Sequence, residues 1–308
     1  MFINQSSSVG GLSTGIPGEI YGYWQAHKIA GRLPWRTLFE PTIRLCREGF
    51  VISKVLGNAI KISEQYIRSN RGLSQIFINQ KTDQLYEFND IIKMPNLADT
   101  LEILSHGHIN AFYDSDLTKD IVKEINDNGG NVTLDDFKDY KAIVKDAIYD
   151  YIDEDYKLIA APVPSNGILV SFILRLMRGK FTTIFLWLIF YRLLFIINYW
   201  IGFNLSEHTL LDENESLLFH HRLIESFKHA FAYRSMLGDE SDNENITRVI
   251  KNLRDTKFVD EIREKIIDFK TFPASYYGMP HDRDNHGTAH ISVLANGDAV
   301  ALTSTINS

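Results

Sequence analysis

The stretch "HGTAHISVLANGDAVALTSTINS", residues 286–308, decides how the rest of the sequence reads. Asn296-Gly297 is a two-residue turn signal, because a type I′ turn needs positive φ at both central positions and Asn-Gly tolerates that best. With those residues as the loop, Ala295 faces Asp298, and the register runs outward to set His290 opposite Thr303 and Thr288 opposite Thr305. Side chains alternate across a strand. Thr288, His290, Ser292, Ala301, Thr303 and Thr305 therefore share one face, and Ala289, Ile291, Val293, Val300, Leu302 and Ser304 the other. The apolar face is expected to pack on a core, and the polar face to meet water or a site. Directly opposed side chains have Cβ atoms about 4.5–5.5 Å apart, close enough for two threonine hydroxyls to hydrogen-bond. On pattern alone, the plain reading is an edge hairpin whose threonines suit strands.

The chain has 308 residues, enough for one large domain or two ordinary ones. Its 44% hydrophobic and 23% charged residues are those of a globular protein. The net charge of −7, without a Lys/Arg run, argues against a nucleic-acid partner. Cys46, the single cysteine, rules out an internal disulfide and reads as a small core residue. There is no Cys/His cluster with metal-ligand spacing, and His220-His221 lacks partners at such spacing, so no metal or other cofactor is expected. The N-terminal "MFINQSSSVGG" has neither the charged nor the apolar region of a signal peptide. Sequons at Asn4, Asn131, Asn204, Asn214 and Asn245 permit glycosylation if the chain is secreted.

Along the chain, "VGGLSTGIPG" (9–18) reads as an irregular loop before a helix at "EIYGYWQAH". Pro41 is expected at a helix start and Gly49 at its end. Ser53 caps the next helix, "NLADTLEILSHG" is another, and "DLTKDIVKEINDNGG" closes on Gly129. Thr133 and Asp136 form a capping box with Asp in place of Glu. Residues 141–161 read as two strands. A long amphipathic helix, with Phe219, Leu223, Ile224, Phe227, Ala230 and Phe231 on its apolar stripe, ends at Gly238. Helices first, with strands around them, make an α+β chain. One segment departs from this pattern. "FTTIFLWLIFYRLLFIINYWI" (181–201) has only Thr182, Thr183, Arg192 and Asn198 polar. It is long enough to span a bilayer, but Arg192 at its centre would cost about 2.5–3.5 kcal/mol on insertion scales. Its aromatics are also spread instead of belted at the ends. Membrane-spanning and buried helices both remain open.

"GTAHISV" followed by "TSTIN" resembles the γ-glutamyltranspeptidase (glutathione hydrolase) family. So do "GGLSTGIPGEIYGYWQAH", "GRLPWRTLFEPTIRLCREGF", "NAFYDSDLTKDIVKEINDNGGNVTLDDFKDY", "APVPSNG" and "IESFKHAFAYRSMLGD", in the family's order. The resemblance covers nearly the whole chain apart from 181–201. It implies an N-terminal-nucleophile hydrolase fold, an αββα sandwich, incomplete in this chain. It implies a precursor that cleaves itself at Gly287–Thr288, with residues 1–287 belonging to a large subunit and 288–308 to the start of a small one. Thr288 would be the catalytic nucleophile, with its freed α-amino group as base. Thr305 would orient its hydroxyl, and Asn307 would contact the glutamyl α-amino and α-carboxylate region. His290 shares their face, and Ser165, Asn166 and Gly167 form a loop that lies near the site in the family or else a plain turn.

The implied reaction attacks the γ-glutamyl bond of glutathione and passes the acyl group to water, an amino acid or a dipeptide. The implied location is the cell surface or extracellular space, although the family's N-terminal anchor is absent from this chain. Other departures matter. The family carries an arginine upstream of "GGLSTGIPGE" that clamps the substrate carboxylate, and none precedes Gly11 here. Its acidic residues, paired serines and Gly-Gly oxyanion hole would lie beyond Ser308. The chain is therefore expected to be a fragment truncated at both ends and inactive alone. A non-catalytic relative and a related amidase of the cephalosporin acylase type are the alternatives. Residues 181–201 are expected to be extraneous, with a genuine membrane or buried helix as the alternative. Gly179-Lys180-Phe181 can be encoded by GGTAAGTTT, which contains a splice-donor sequence, so a retained intron would account for them.

Overall fold

The computed structural model describes residues 10–152, 157–178, 180–186, 195–201, 203, 211–238, 244–278 and 288–305. The chain divides into two compact units, Met1–Val144 with His286–Ser308, and Lys145–Asn285.

The first unit is mainly helical. A 3₁₀ turn at Gly11–Ser13 precedes α1 (Glu19–Ala30) and α2 (Trp35–Glu48). Strand β1 (Phe50–Val51) leads to α3 (Lys54–Ile62), α4 (Glu64–Ser69) and α5 (Arg71–Phe77), then to β2 (Ile78–Asn79), β3 (Gln84–Leu85) and β4 (Ile91–Ile92). Helices α6 (Pro95–Gly107), α7 (Asn110–Tyr113), α8 (Asp116–Asp127) and α9 (Leu134–Asp139) complete it before the final hairpin. Local chemistry sets several boundaries. The Ser53 side chain accepts from the Leu56 amide and caps α3. Thr133 and Asp136 exchange both bonds of a capping box at α9. Pro41 does not start a helix as expected, for α2 runs through it. The ring lies on the exposed face, where water can serve the Thr37 carbonyl that a proline four residues on leaves unbonded. Two apolar clusters hold the unit, one around Ile52, Ile60, Ile67, Ile78 and Ile92, the other around Tyr113, Val122, Ile125 and Phe137.

The region read as an irregular loop is anchored. Gly11 donates to the Asn128 carbonyl at 2.8 Å. A Cβ on Gly11 would stand 2.1 Å from the Ile125 carbonyl oxygen, so no larger residue fits this approach. Farther on, Tyr113 donates its hydroxyl to the Pro17 carbonyl at 2.6 Å and accepts the Tyr21 amide at 3.3 Å. These contacts fix where α1 begins, and with it the position of Glu19.

The second unit contains the expected strand pair, β5 (Ile148–Tyr151) and β6 (Lys157–Ala160), followed by α10 (Gly167–Arg178). Two further strands, β7 (Lys180–Leu186) and β8 (Phe195–Ile201), pair antiparallel. Residues 180–186 and 195–201 are thus extended where a helix was one reading, and none of the described helices is long and apolar enough to cross a membrane. Helices α11 (Glu213–Arg234), α12 (Glu244–Arg254), α13 (Thr256–Arg263) and α14 (Ala274–Tyr277) follow. The core gathers Ile168, Phe172 and Leu176 of α10 with Ala230, Leu253, Val259 and Ile262.

α11 corrects two expectations. It ends at Arg234, short of Gly238, and Ile224, Phe227 and Phe231 are exposed while Glu225, Ser226, His229, Ala230 and Ala232 are buried. The buried carboxylate of this face has polar partners. Glu225 accepts from the Tyr277 hydroxyl at 2.5 Å, and from Thr271 and Lys228 at 2.8 Å each. Burial pushes its pKa up, but the bonds from Lys228, Tyr277 and Thr271 outweigh that and hold it below the usual value.

The α+β class stands. The described strands form five separate two-stranded sheets, so the continuous double sheet of an αββα sandwich is not assembled among the described residues.

Candidate active site

The last two strands, β9 (Ala289–Ala295) and β10 (Asp298–Ser304), pair in the register read from the sequence, from Asp298 opposite Ala295 to Ser304 opposite Ala289. Asn296 at φ 52° and Gly297 at φ 86° make the turn. One further step of this register sets Thr288 across from Thr305. The Thr288 hydroxyl donates to the backbone carbonyl of Ser304 at 2.8 Å. On the same polar face, His290 bonds Thr303 through Nδ1 at 2.8 Å and Ser292 through Nε2 at 2.9 Å. The face therefore carries a continuous row of hydroxyl and imidazole groups leading up to Thr288.

The opposite face does not pack on a core as expected. Ile291, Val293 and Val300 are 57%, 53% and 64% exposed. Leu302 and Ser304, near the open end, are half-buried. Two side-chain ties to the rest of the unit sit at the two ends of β10. Asp298 accepts from Arg32 at 3.1 Å. Ser304 donates its hydroxyl to Glu19 Oε1 at 2.9 Å. Tyr23, one turn along α1, donates to that same oxygen. Burial and then the Glu19 carboxylate push the Tyr23 phenol up to about 12, so it remains a donor at any physiological pH.

Of the residues singled out in the sequence, Thr288, His290 and Thr305 come together at the hairpin, while Asn307 and Gly287 lie outside the described residues. Ser165 and Asn166 form the turn into α10, the Asn166 carbonyl accepting the amides of Leu169 and Val170 at 3.0 and 3.3 Å. His220 and His221 bond the carbonyls of Ser216 and Ile267. No group of three or more His, Cys, Asp or Glu among the described residues is arranged to hold a metal. Sequence reasoning missed Glu19 and Tyr23. Their spacing of four residues puts them on one helix face, but nothing local ties that face to a strand far along the chain.

Chemically, the arrangement presents a threonine hydroxyl at a strand end, held by a defined acceptor and open to solvent. A hydroxyl so placed can act as a nucleophile once a base takes its proton.

Comparison with known proteins follows the same line. The whole chain, residues 1–308, matches the gamma-glutamyltranspeptidase family. It is 34% identical over 302 residues to Scoloptoxin SSD14 of Scolopendra dehaani, covering 98% of this chain and 48% of that protein. It is 33% identical over 300 residues to Glutathione hydrolase 2 of Arabidopsis thaliana, covering 97% of this chain and 47% of that one. Among solved structures, Helicobacter pylori gamma-glutamyltranspeptidase aligns with a TM-score of 0.70 at 21% identity, over 91% of this chain and 72% of that chain, which shows a shared fold. The chain spans about half the length of the curated relatives it matches.

Proposed function

The chain belongs to the gamma-glutamyltranspeptidase family, and from that premise we propose that it carries the nucleophile of a γ-glutamyl hydrolase and transferase, Thr288. One observation supports this reading above others: the hairpin register sets Thr288 at the strand mouth with its hydroxyl bonded to Ser304, on the face that carries His290 and Thr303.

The precursor reaction comes first. The Thr288 hydroxyl oxygen adds to the carbonyl carbon of Gly287, and the C–N bond to Thr288 breaks as the amine takes a proton. Water then hydrolyses the resulting ester, leaving a carboxylate on Gly287 and a free hydroxyl and α-amino group on Thr288. That amine, with a reference pKa of about 7.7–8.0, is suited to accept the hydroxyl proton near neutrality. One residue then supplies both nucleophile and base. In turnover, the hydroxyl attacks the γ-glutamyl carbonyl of glutathione or a related compound, cysteinylglycine or another amine leaves, and water, an amino acid or a dipeptide takes the acyl group. Thr305 orients the hydroxyl and Asn307 contacts the glutamyl head group. Residues up to Gly287 belong to the large subunit and those from Thr288 to the small one. The cell surface or extracellular space is the site of action.

Mass spectrometry of the purified protein tests the nucleophile. A new N-terminus at Thr288 is expected, with none in Thr288→Ala. Maturation of Thr288→Ala into two pieces at the same bond would overturn the assignment.

A further inference from the structure

The Thr288 hydroxyl is held by a backbone oxygen, which can aim it but cannot deprotonate it. What fixes that oxygen is therefore part of the machinery. It belongs to Ser304, the last residue of the β9–β10 ladder, and the same residue's side chain is bonded to Glu19 at 2.9 Å. Glu19 Oε1 accepts a second hydrogen bond from Tyr23 on the next turn of α1. A carboxylate oxygen gripped by two donors, in the first turn of a helix whose N-terminal dipole favours negative charge, is a fixed point. The helix bearing it is pinned in turn by Tyr113 at Pro17 and Tyr21.

The far end of the strand is tied as well, through Arg32 and Asp298. Glu19 is the first residue of α1, and Arg32 lies two residues beyond its last, Ala30. From Ser304 back to Asp298 the strand covers about 20 Å at roughly 3.3 Å per residue. The two polar ties thus bracket β10, one from the first turn of α1 and one from just past its end. Of the two, only the Glu19 end touches the residue that holds the nucleophile.

We propose that Glu19, supported by Tyr23, is a positioning residue for Thr288: by fixing Ser304 it selects the orientation from which the Thr288 hydroxyl attacks. The proposal rests on the reading of Thr288 as nucleophile. Glu19 exchanges no proton with the reacting atoms, and its effect passes through the Ser304 peptide. Loss of the tie leaves the Ser304 carbonyl free to turn, so the hydroxyl spends less time aimed at the Gly287 carbonyl.

The test measures the first-order rate of chain cleavage at Gly287–Thr288 by intact-mass spectrometry, alongside melting temperature for every variant. Glu19→Ala and Ser304→Ala are each expected to slow cleavage about tenfold, the equivalent of one charge-assisted hydrogen bond. Because both remove the same contact, the double variant is expected to be no slower than either single one. Glu19→Gln, whose amide oxygen still accepts from Ser304 and Tyr23, is expected to stay within about threefold of the unmodified protein. A purely structural role would not give this rescue together with non-additive rates. Cleavage of Glu19→Ala at the unmodified rate, or multiplicative effects in the double variant, overturns the positioning role and leaves Thr288 standing. A chain that never exposes Thr288 as a new N-terminus overturns the nucleophile reading, and this inference with it.

Discussion

Asp150 is nearly fully buried and ionised, and everything around it serves that charge. It accepts from Ser171, from Arg175 through both guanidinium Nε and Nη2, and lies 3.8 Å from Arg254. Burial raises its pKa, but the Arg175 and Ser171 bonds and the charges of Arg175 and Arg254 outweigh that and hold it below the usual carboxylate range. Removing one partner of such a group strands the others, so Asp150→Ala is expected to cost about 3–5 kcal/mol in chemical denaturation. His229 is the opposite case. Its Nε2 is buried without a hydrogen-bond partner among the described residues, and burial pushes its pKa down from 6.5 to about 4, against the nearby Glu225 carboxylate. The unfolded chain therefore binds the proton first. Stability from this residue is complete above pH 6.5 and is lost as pH falls toward 4, by on the order of 3 kcal/mol. His229→Phe is expected to raise the melting temperature at pH 5 more than at pH 8; an equal shift at both would assign the acid sensitivity elsewhere. Neither residue was legible in the sequence, because an Asp on a strand and a His on a helix carry no mark of what tertiary structure brings to them.

At the scale of elements, legibility follows the range of the interaction that decides each one. The hairpin register was readable in full because two adjacent residues set it, as were the caps at Ser53 and Thr133. Pro41 was misplaced because a helix tolerates proline where its lost hydrogen bond faces water, which depends on how the helix is buried. The α11 stripe was right only in part for the same kind of reason: Ala230 is buried but Ile224, Phe227 and Phe231 are exposed, because Tyr277 and Thr271, far along the chain, draw Glu225 inward. The turn offers a direct test. Gly297 sits at φ 86°, where a Cβ is penalised. Gly297→Val is expected to destabilise the hairpin by about 1–2 kcal/mol, read as faster amide hydrogen exchange in β9 and β10. Unchanged exchange there would mean that the strands are held by something other than their turn.

For the whole molecule, family and α+β class were legible from motifs strung in order, whereas the partition into two compact units was not, since the first unit joins the chain's two ends. The described parts of the apolar segment are strands: β7 and β8 pair with each other and with no other described strand. A self-contained excursion of this kind can be removed without unpicking a sheet. Messenger RNA lacking the codons for 181–201 is therefore expected, and a protein with those residues deleted is expected to give a higher soluble yield. Transcripts that consistently contain the codons, or a deletion that abolishes folding, would restore the segment to the protein.

The ties at the two ends of β10 carry one more consequence, for what happens after the chain is cut. While the backbone is intact, the hairpin is tethered and its local concentration at α1 is set by chain length. Once Gly287–Thr288 opens, the peptide that begins at Thr288 is no longer joined through that bond, and the side-chain contacts at the two ends of β10 become part of a binding interface. One of them, Arg32 with Asp298, is an ion pair with both side chains mostly exposed, and exposed charges are screened within about 8 Å at physiological ionic strength. Retention of the cut peptide should thus become a salt-dependent equilibrium where it had been a covalent fact. Gel filtration of the cleaved protein at rising sodium chloride is expected to release the peptide progressively, and from Arg32→Ala at lower salt still.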